Sequence, residues 1–160
     1  IVWGKRNGEL ESVGYFKNGA LKGYYVAVAE TNLDTQGNTK AWAWNGKRSI
    51  AFSIKQLASY EITDIAVRPN ADILVLQRSY PAMTLLVMAM SRFPASDIKQ
   101  GKTIQPETLL DVRAPFYAID KMEGLAVCER DGELRLNILS DNNFKTDLQR
   151  TLLLQFAYTP

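Results

Sequence analysis

The sequence predicts an all-β, β-propeller-like chain of about three four-stranded antiparallel blades, the last lacking its fourth strand. Three observations predict it. First, short apolar runs with strand periodicity follow one another, bounded by Gly, Asn, Asp and Pro, and no long helical pattern interrupts them. Second, three stretches repeat one unit. Each opens on a small or acidic triplet leading into an apolar strand and ends on a charged residue fifteen to nineteen positions later. The triplets are Glu11-Ser12-Val13, Thr63-Asp64-Ile65 and Glu123-Gly124-Leu125, and the closing residues are Glu30, Arg78 and Asp141. Third, aligning Val13, Ile65 and Leu125 gives units over about 11–54, 62–112 and 122–160, a spacing of roughly 40 to 60 residues that suits propeller blades.

The elements follow in order. Tyr24 to Glu30 is a short apolar strand after Gly23. Lys40 to Trp44 alternates small and aromatic residues, Asn45-Gly46 is a strong hairpin signal, and Arg48 to Ile54 returns. Ile62 to Val67 and Asp72 to Arg78 flank a turn at Pro69-Asn70. Thr84 to Ser91 is continuously apolar and suits a buried strand or a short helix; its place between strands favours a strand. Ser96 to Leu110 is a polar connector with room for one helical turn near Pro94-Ala95-Ser96, and Thr108 to Val112 is a short strand. Leu125 to Cys128 and Glu133 to Leu139 flank a third turn at Asp131-Gly132. Thr151 to Tyr158 is the last strand. The third unit thus stops at three strands. Ile1-Val2-Trp3 can in principle supply a fourth, but the expected arrangement is part of a longer propeller, completed by a missing N-terminal half or by another chain. Residues 1–160 then form a single domain or a partial propeller.

Composition narrows the chemistry. The 160 residues suffice for one domain with a core. A net charge of +2 from 19 basic and 17 acidic residues gives no argument for nucleic acid or an anionic membrane as partner. No apolar run is long enough to span a bilayer as a helix. The chain has no histidine and one cysteine, Cys128. Histidine-based nucleophile systems, histidine zinc sites and an internal disulfide are therefore excluded within it. Cys128 reads as a small core residue. Carboxylates, amides, hydroxyls, Arg and Lys remain, and oxygen-rich sites of that kind suit hard cations.

In a hairpin the start of the first strand lies beside the end of the second. Glu11 is thus expected near Glu30, Thr63 and Asp64 near Arg78, and Glu123 near Asp141. As blades, the units collect these pairs on one face. Carboxylates so gathered repel one another unless a cation or a proton intervenes. A divalent cation held by Glu11, Glu30, Glu123 and Asp141, calcium first, is one relief. Arg78, other basic residues and backbone N–H groups are the other. Asp64 with Arg78 reads as an ion pair. The loop from Ser140 to Phe144 is dense in oxygen ligands but lacks the EF-hand spacing; Asx turns also explain it. Gln149 and Arg150 either fold back toward the same face or are solvated. The polar run Asn32 to Asn38 reads as a surface loop. Trp42 and Trp44 share one strand face and read as packing between blades.

The run from Asp120 to Phe156 (DKMEGLAVCERDGELRLNILSDNNFKTDLQRTLLLQF) resembles the C-terminal signature of a bacterial family known as esterase-like activity of phytase. Ala29-Glu30, Thr63 to Ala66 and the strand ending in Arg78-Ser79 are similar to it as well. Two departures, Lys121 and Asn142, stand where the pattern has Asn and Asp, and the second removes a carboxylate. The resemblance implies a propeller-like fold, members longer than this chain, and export to the periplasm or beyond the cell.

It also implies hydrolysis of a small-molecule phosphoester or related ester. With the residues above, the expectation is a hydrolase assisted by a divalent cation. Glu123 and Asp141 are its catalytic candidates, and Arg78, Arg150 and Asn143 its substrate-binding candidates. The alternative is a non-catalytic propeller that binds a ligand or protein partner on the acidic face.

Overall fold

A computed structural model describes residues 10–57, 60–79, 86–144, 147 and 149–158. Among them are twelve β-strands in three sheets and no α-helix. The first sheet contains β1 (Ser12–Tyr15), β2 (Tyr25–Leu33), β3 (Thr39–Trp44) and β4 (Ser49–Ile54), paired antiparallel in chain order. The second contains β5 (Glu61–Val67), β6 (Asp72–Ser79), β7 (Val87–Pro94) and, after β8, β9 (Glu107–Arg113), again in chain order. The third contains β10 (Met122–Arg130), β11 (Glu133–Ser140) and β12 (Leu153–Tyr158). The two-residue β8 (Thr103–Ile104) leaves the connector to pair parallel with the edge of β4. Sequence periodicity cannot register so short a strand, because two residues carry no period. The connector does hold the expected helical turn, a 3₁₀ turn at Ala95–Asp97.

Local chemistry sets the turns. The Asn45 side chain accepts the Lys47 and Arg48 N–H groups, and Gly46 takes φ +83°. Asp131 and Gly132 both take positive φ, as a two-residue hairpin turn of this hand requires. The polar run after β2 is also a built turn. Asp34 accepts the Gln36 and Asn38 N–H groups, and these bonds, the one to Asn38 foremost, hold its carboxyl down at about 2.

The second sheet lies between the other two, which explains its composition. Along β6, Ile73 and Val75 enter a core shared with the first sheet, while Leu74 and Leu76 enter a core shared with the third. A sheet buried on both faces needs apolar residues at every position, so ILVL and VMAM read as unbroken runs. The first core joins Val26, Val28 and Phe52 to Ile62, Ile65 and Phe93, with the Phe52 and Phe93 rings edge to face at 6.4 Å. The second joins Leu74, Leu76, Met88 and Met90 to Leu125, Leu136 and Ile138. Each such side chain contributes about 1.5–3 kcal/mol on burial.

Three expectations about single residues fail. Cys128 is exposed, not a core residue; it lies on the face of β10 opposite Leu125 and Val127 and meets Asn137. Trp42 and Trp44 are half-buried but pack no inter-sheet core. Ala41 and Ala43 take the buried positions of β3, and Trp44 stacks instead on the exposed Tyr25 at 5.7 Å. A strand of period two can give the core only one of its faces, and here the small residues take it. Ile1-Val2-Trp3 and the first two residues of the Thr84–Ser91 run lie outside the described residues; the run from Val87 on begins β7.

Candidate functional site

Two of the three marked triplets open on the same device. In β10, Met122 faces Ser140 and Gly124 faces Leu139, which leaves Glu123 as an extra residue, a β-bulge. In β5, Ile62 faces Gln77 and Asp64 faces Leu76, which leaves Thr63 as the bulge. In the first sheet Ser12 faces Val28, and the Glu11 N–H also donates to the Val28 carbonyl. A bulge adds one residue and re-aims its side chain out of the strand alternation. Thr63 and Glu123 thus hold equivalent places in the second and third sheets, and Glu11 stands just before β1 in the first.

Arg78, near the end of β6, reaches across this end. Its guanidinium Nη2 lies 3.5 Å from Glu30 Oε1 of the first sheet and 3.3 Å from Glu123 Oε1 of the third. The three side chains are only 15%, 19% and 35% exposed, so the group is largely withdrawn from water. Burial pushes the Glu30 carboxyl up; repulsion from Glu11, Glu61 and Glu123 adds to this, and Arg78 opposes it. Burial also pushes Glu123 up. Arg78 and Lys121 act against that shift, and Asp141 and Glu11 act with it. One face therefore collects Glu11, Glu30, Glu61, Glu123 and Asp141 around Arg78 and Lys121.

The expected pairings hold in part. Glu11 lies close enough to Glu30 to repel it, and Asp141 does the same to Glu123. The Asp141 N–H donates to the Lys121 carbonyl at 3.0 Å, fixing the end of β11 beside the start of β10. The second pairing fails. The ladder partner of Arg78 is Glu61, and the bulge turns Thr63 and Asp64 elsewhere. The expected Asp64–Arg78 ion pair is therefore absent. Asp64, half-buried and pushed up by burial, accepts the Ile65 N–H at 2.8 Å and the Leu125 N–H at 2.6 Å. Glu61 is the member of the face that the sequence reading missed. A hairpin register counted with a bulge at Thr63 places it opposite Arg78.

Asn143 accounts for itself locally. Its N–H donates to Asp141 Oδ1 at 2.9 Å, as in an Asx turn, and its amide nitrogen lies 3.4 Å from Gln149 Oε1. Gln149 thus folds back onto the loop. Arg150 ties in through its backbone, whose N–H donates to Asp120 Oδ2 at 2.7 Å, while its carbonyl accepts the Ser140 hydroxyl at 2.7 Å. Among the described residues, no three carboxylates converge closely enough to hold a metal ion. The place between Glu30 and Glu123 is taken by the Arg78 guanidinium, so the side chains as they stand do not fit a divalent cation there.

Fold and site define an antiparallel β protein of three successive sheets, with an acidic, arginine-centred face at one end. The chain belongs to the Phytase-like family, described as esterase-like activity of phytase, whose sequence model matches residues 4–144. That match ends on Phe144, so the Gln149–Phe156 part of the signature run lies beyond it. Comparison with curated proteins and with solved structures gives no match.

Proposed function

We propose that the acidic face is the ligand-facing side of a phytase-like hydrolase that cleaves a phosphoester or related ester. The observation that carries this is Arg78 held between Glu30 and Glu123, one group contributed by three sheets. Arg78 would donate to the oxyanion that develops on the substrate. Glu123 would pass a proton to the leaving oxygen, a role that burial favours by pushing its carboxyl up. Asp141, exposed at the end of the same hairpin, would take the proton from the attacking water. Water is the nucleophile of this reading because the chain lacks histidine, and Cys128 lies five residues along β10 from Glu123.

The test is turnover of p-nitrophenyl phosphate and p-nitrophenyl acetate. Glu123→Gln, with its unfolding transition unchanged, is expected to lower kcat by about 10²–10⁴-fold. Undiminished turnover in that variant would exclude the site. Calcium, first among the cations, is a separate proposal, since its binding would require Arg78 to leave the place between Glu30 and Glu123. A rise in Tm with added calcium, reversed by chelator, supports a bound cation; an unmoved Tm removes it from the reading.

The sheets are read as propeller blades because each is a meander in chain order and each packs on the next. β12 is an edge strand of the third sheet, so a strand completing that blade would pair there. Export to the periplasm or beyond is part of the same reading and rests on the family alone. A second reading has its own observation. Arg78 joins three sheets through ion pairs, as a structural staple would, and the face would then bind a ligand or protein partner without turnover. Folded protein inactive on both ester classes, with or without calcium, would favour it.

A further inference from the structure

We infer that Thr63 and Asp64 are positioning residues that set Glu123 against Arg78. Glu123 is a bulge residue, so the ladder of its own sheet does not fix it. The neighbouring sheet does. The Thr63 hydroxyl donates to the Met122 carbonyl at 3.1 Å, and Asp64 Oδ2 accepts the Leu125 N–H at 2.6 Å. The backbone is gripped one residue before Glu123 and two residues after it. Thr63 is buried and Asp64 half-buried, so each bond forms away from bulk water and each left unmade would orphan a polar group.

The repeat makes the assignment specific. The positions equivalent to Asp64 are Ser12 in the first sheet and Gly124 in the third. The Ser12 hydroxyl is buried and unpartnered, and Gly124 has no side chain to offer. Only the middle unit carries the acidic clamp, at the joint where Glu123 must meet a side chain of another sheet. Among the described residues, Asp64 has no cation among its partners. Two backbone N–H groups offset the cost of its burial, an arrangement suited to fixing a backbone position. The inference rests on the proposed function only for what Glu123 does, not for where it sits.

The test reads the pair and not turnover, so a chain without hydrolase activity leaves it fully decidable. Double-mutant cycles by urea unfolding measure the Arg78–Glu123 coupling (Arg78→Gln, Glu123→Gln) and the Arg78–Glu30 coupling (Arg78→Gln, Glu30→Gln). Both are measured in the parent, Asp64→Asn, Thr63→Val and Thr63→Ser backgrounds. Asp64→Asn keeps the shape but turns an NH₂ toward one of the two N–H groups. Thr63→Val removes only the hydroxyl, and Thr63→Ser restores it. The expected result is loss of the Arg78–Glu123 coupling in Asp64→Asn and Thr63→Val, its return in Thr63→Ser, and an Arg78–Glu30 coupling that survives throughout. Should Asp64→Asn not fold, the Thr63 pair decides alone. An undiminished Arg78–Glu123 coupling, a fall of both couplings together, or no such coupling in the parent would overturn the inference.

Discussion

At the scale of the residue, Arg78 is the side chain on which the face depends. Removing one partner of a withdrawn ion pair leaves the other charges uncompensated, which costs about 3–5 kcal/mol when the group is fully buried. The exposure here, up to 35% at Glu123, reduces that, and Arg78→Gln is expected to cost about 1–3 kcal/mol in urea unfolding at neutral pH. The sign for Glu30 is opposite. Its folded carboxyl lies above the ordinary value of 4.5, so burial and three neighbouring carboxylates outweigh Arg78. A group raised in this way supports the fold below its unfolded value, and that support is lost as pH rises through the folded one. Glu30→Gln is therefore expected to flatten the decline in urea midpoint above pH 4.5 and to leave stability at pH 7 equal or higher. A steeper decline in that variant would reverse the assignment.

At the scale of the element, turns and bulges do most of the placing. The turn between β2 and β3 hangs on one carboxylate, Asp34, held down at about 2. Its contribution is present above the unfolded carboxylate range and lost as pH falls toward 2. Asp34→Ala is expected to lower the thermal midpoint at pH 7 and to leave it little changed near pH 2, which a pair of melting curves checks. The turns at Asn45-Gly46 and Asp131-Gly132 were legible because their residue types admit the backbone angles required. The bulges were not. Nothing in Thr63-Asp64-Ile65 or Glu123-Gly124-Leu125 says that the first residue will drop out of the ladder. That is decided by which apolar neighbours reach the core, and the one-residue shift puts Glu61 opposite Arg78, where an unbroken ladder would put Ile62.

At the scale of the whole molecule, the middle sheet carries both cores and holds the outer two in place. Close approach of the first and second sheets depends on Gly14. A Cβ there would lie 2.7 Å from Val67 Cγ2 and 3.2 Å from Val26 Cγ1. Gly14→Ala is expected to cost about 1–3 kcal/mol by overpacking, read as a lower urea midpoint. An unchanged midpoint would mean that the sheets separate freely at that point. The two cores meet on opposite faces of β6, so Val75→Ala and Leu76→Ala strike different cores. Each is expected to shift one cooperative transition and not to split it into two.

The sequence by itself determined the all-β class, the order of the main strands, the turns, and the end of each hairpin at which the carboxylates collect. It could do so because alternation, turn chemistry and hairpin geometry act over a few residues. Tertiary structure alone decided that Arg78 answers to Glu30 and Glu123 and not to Asp64, that Asp64 grips the next sheet, and that Cys128 and the tryptophans stay out of the cores. Those outcomes depend on how three sheets pack and where each strand slips by one residue. Contacts between distant segments fix both, and no local pattern records them.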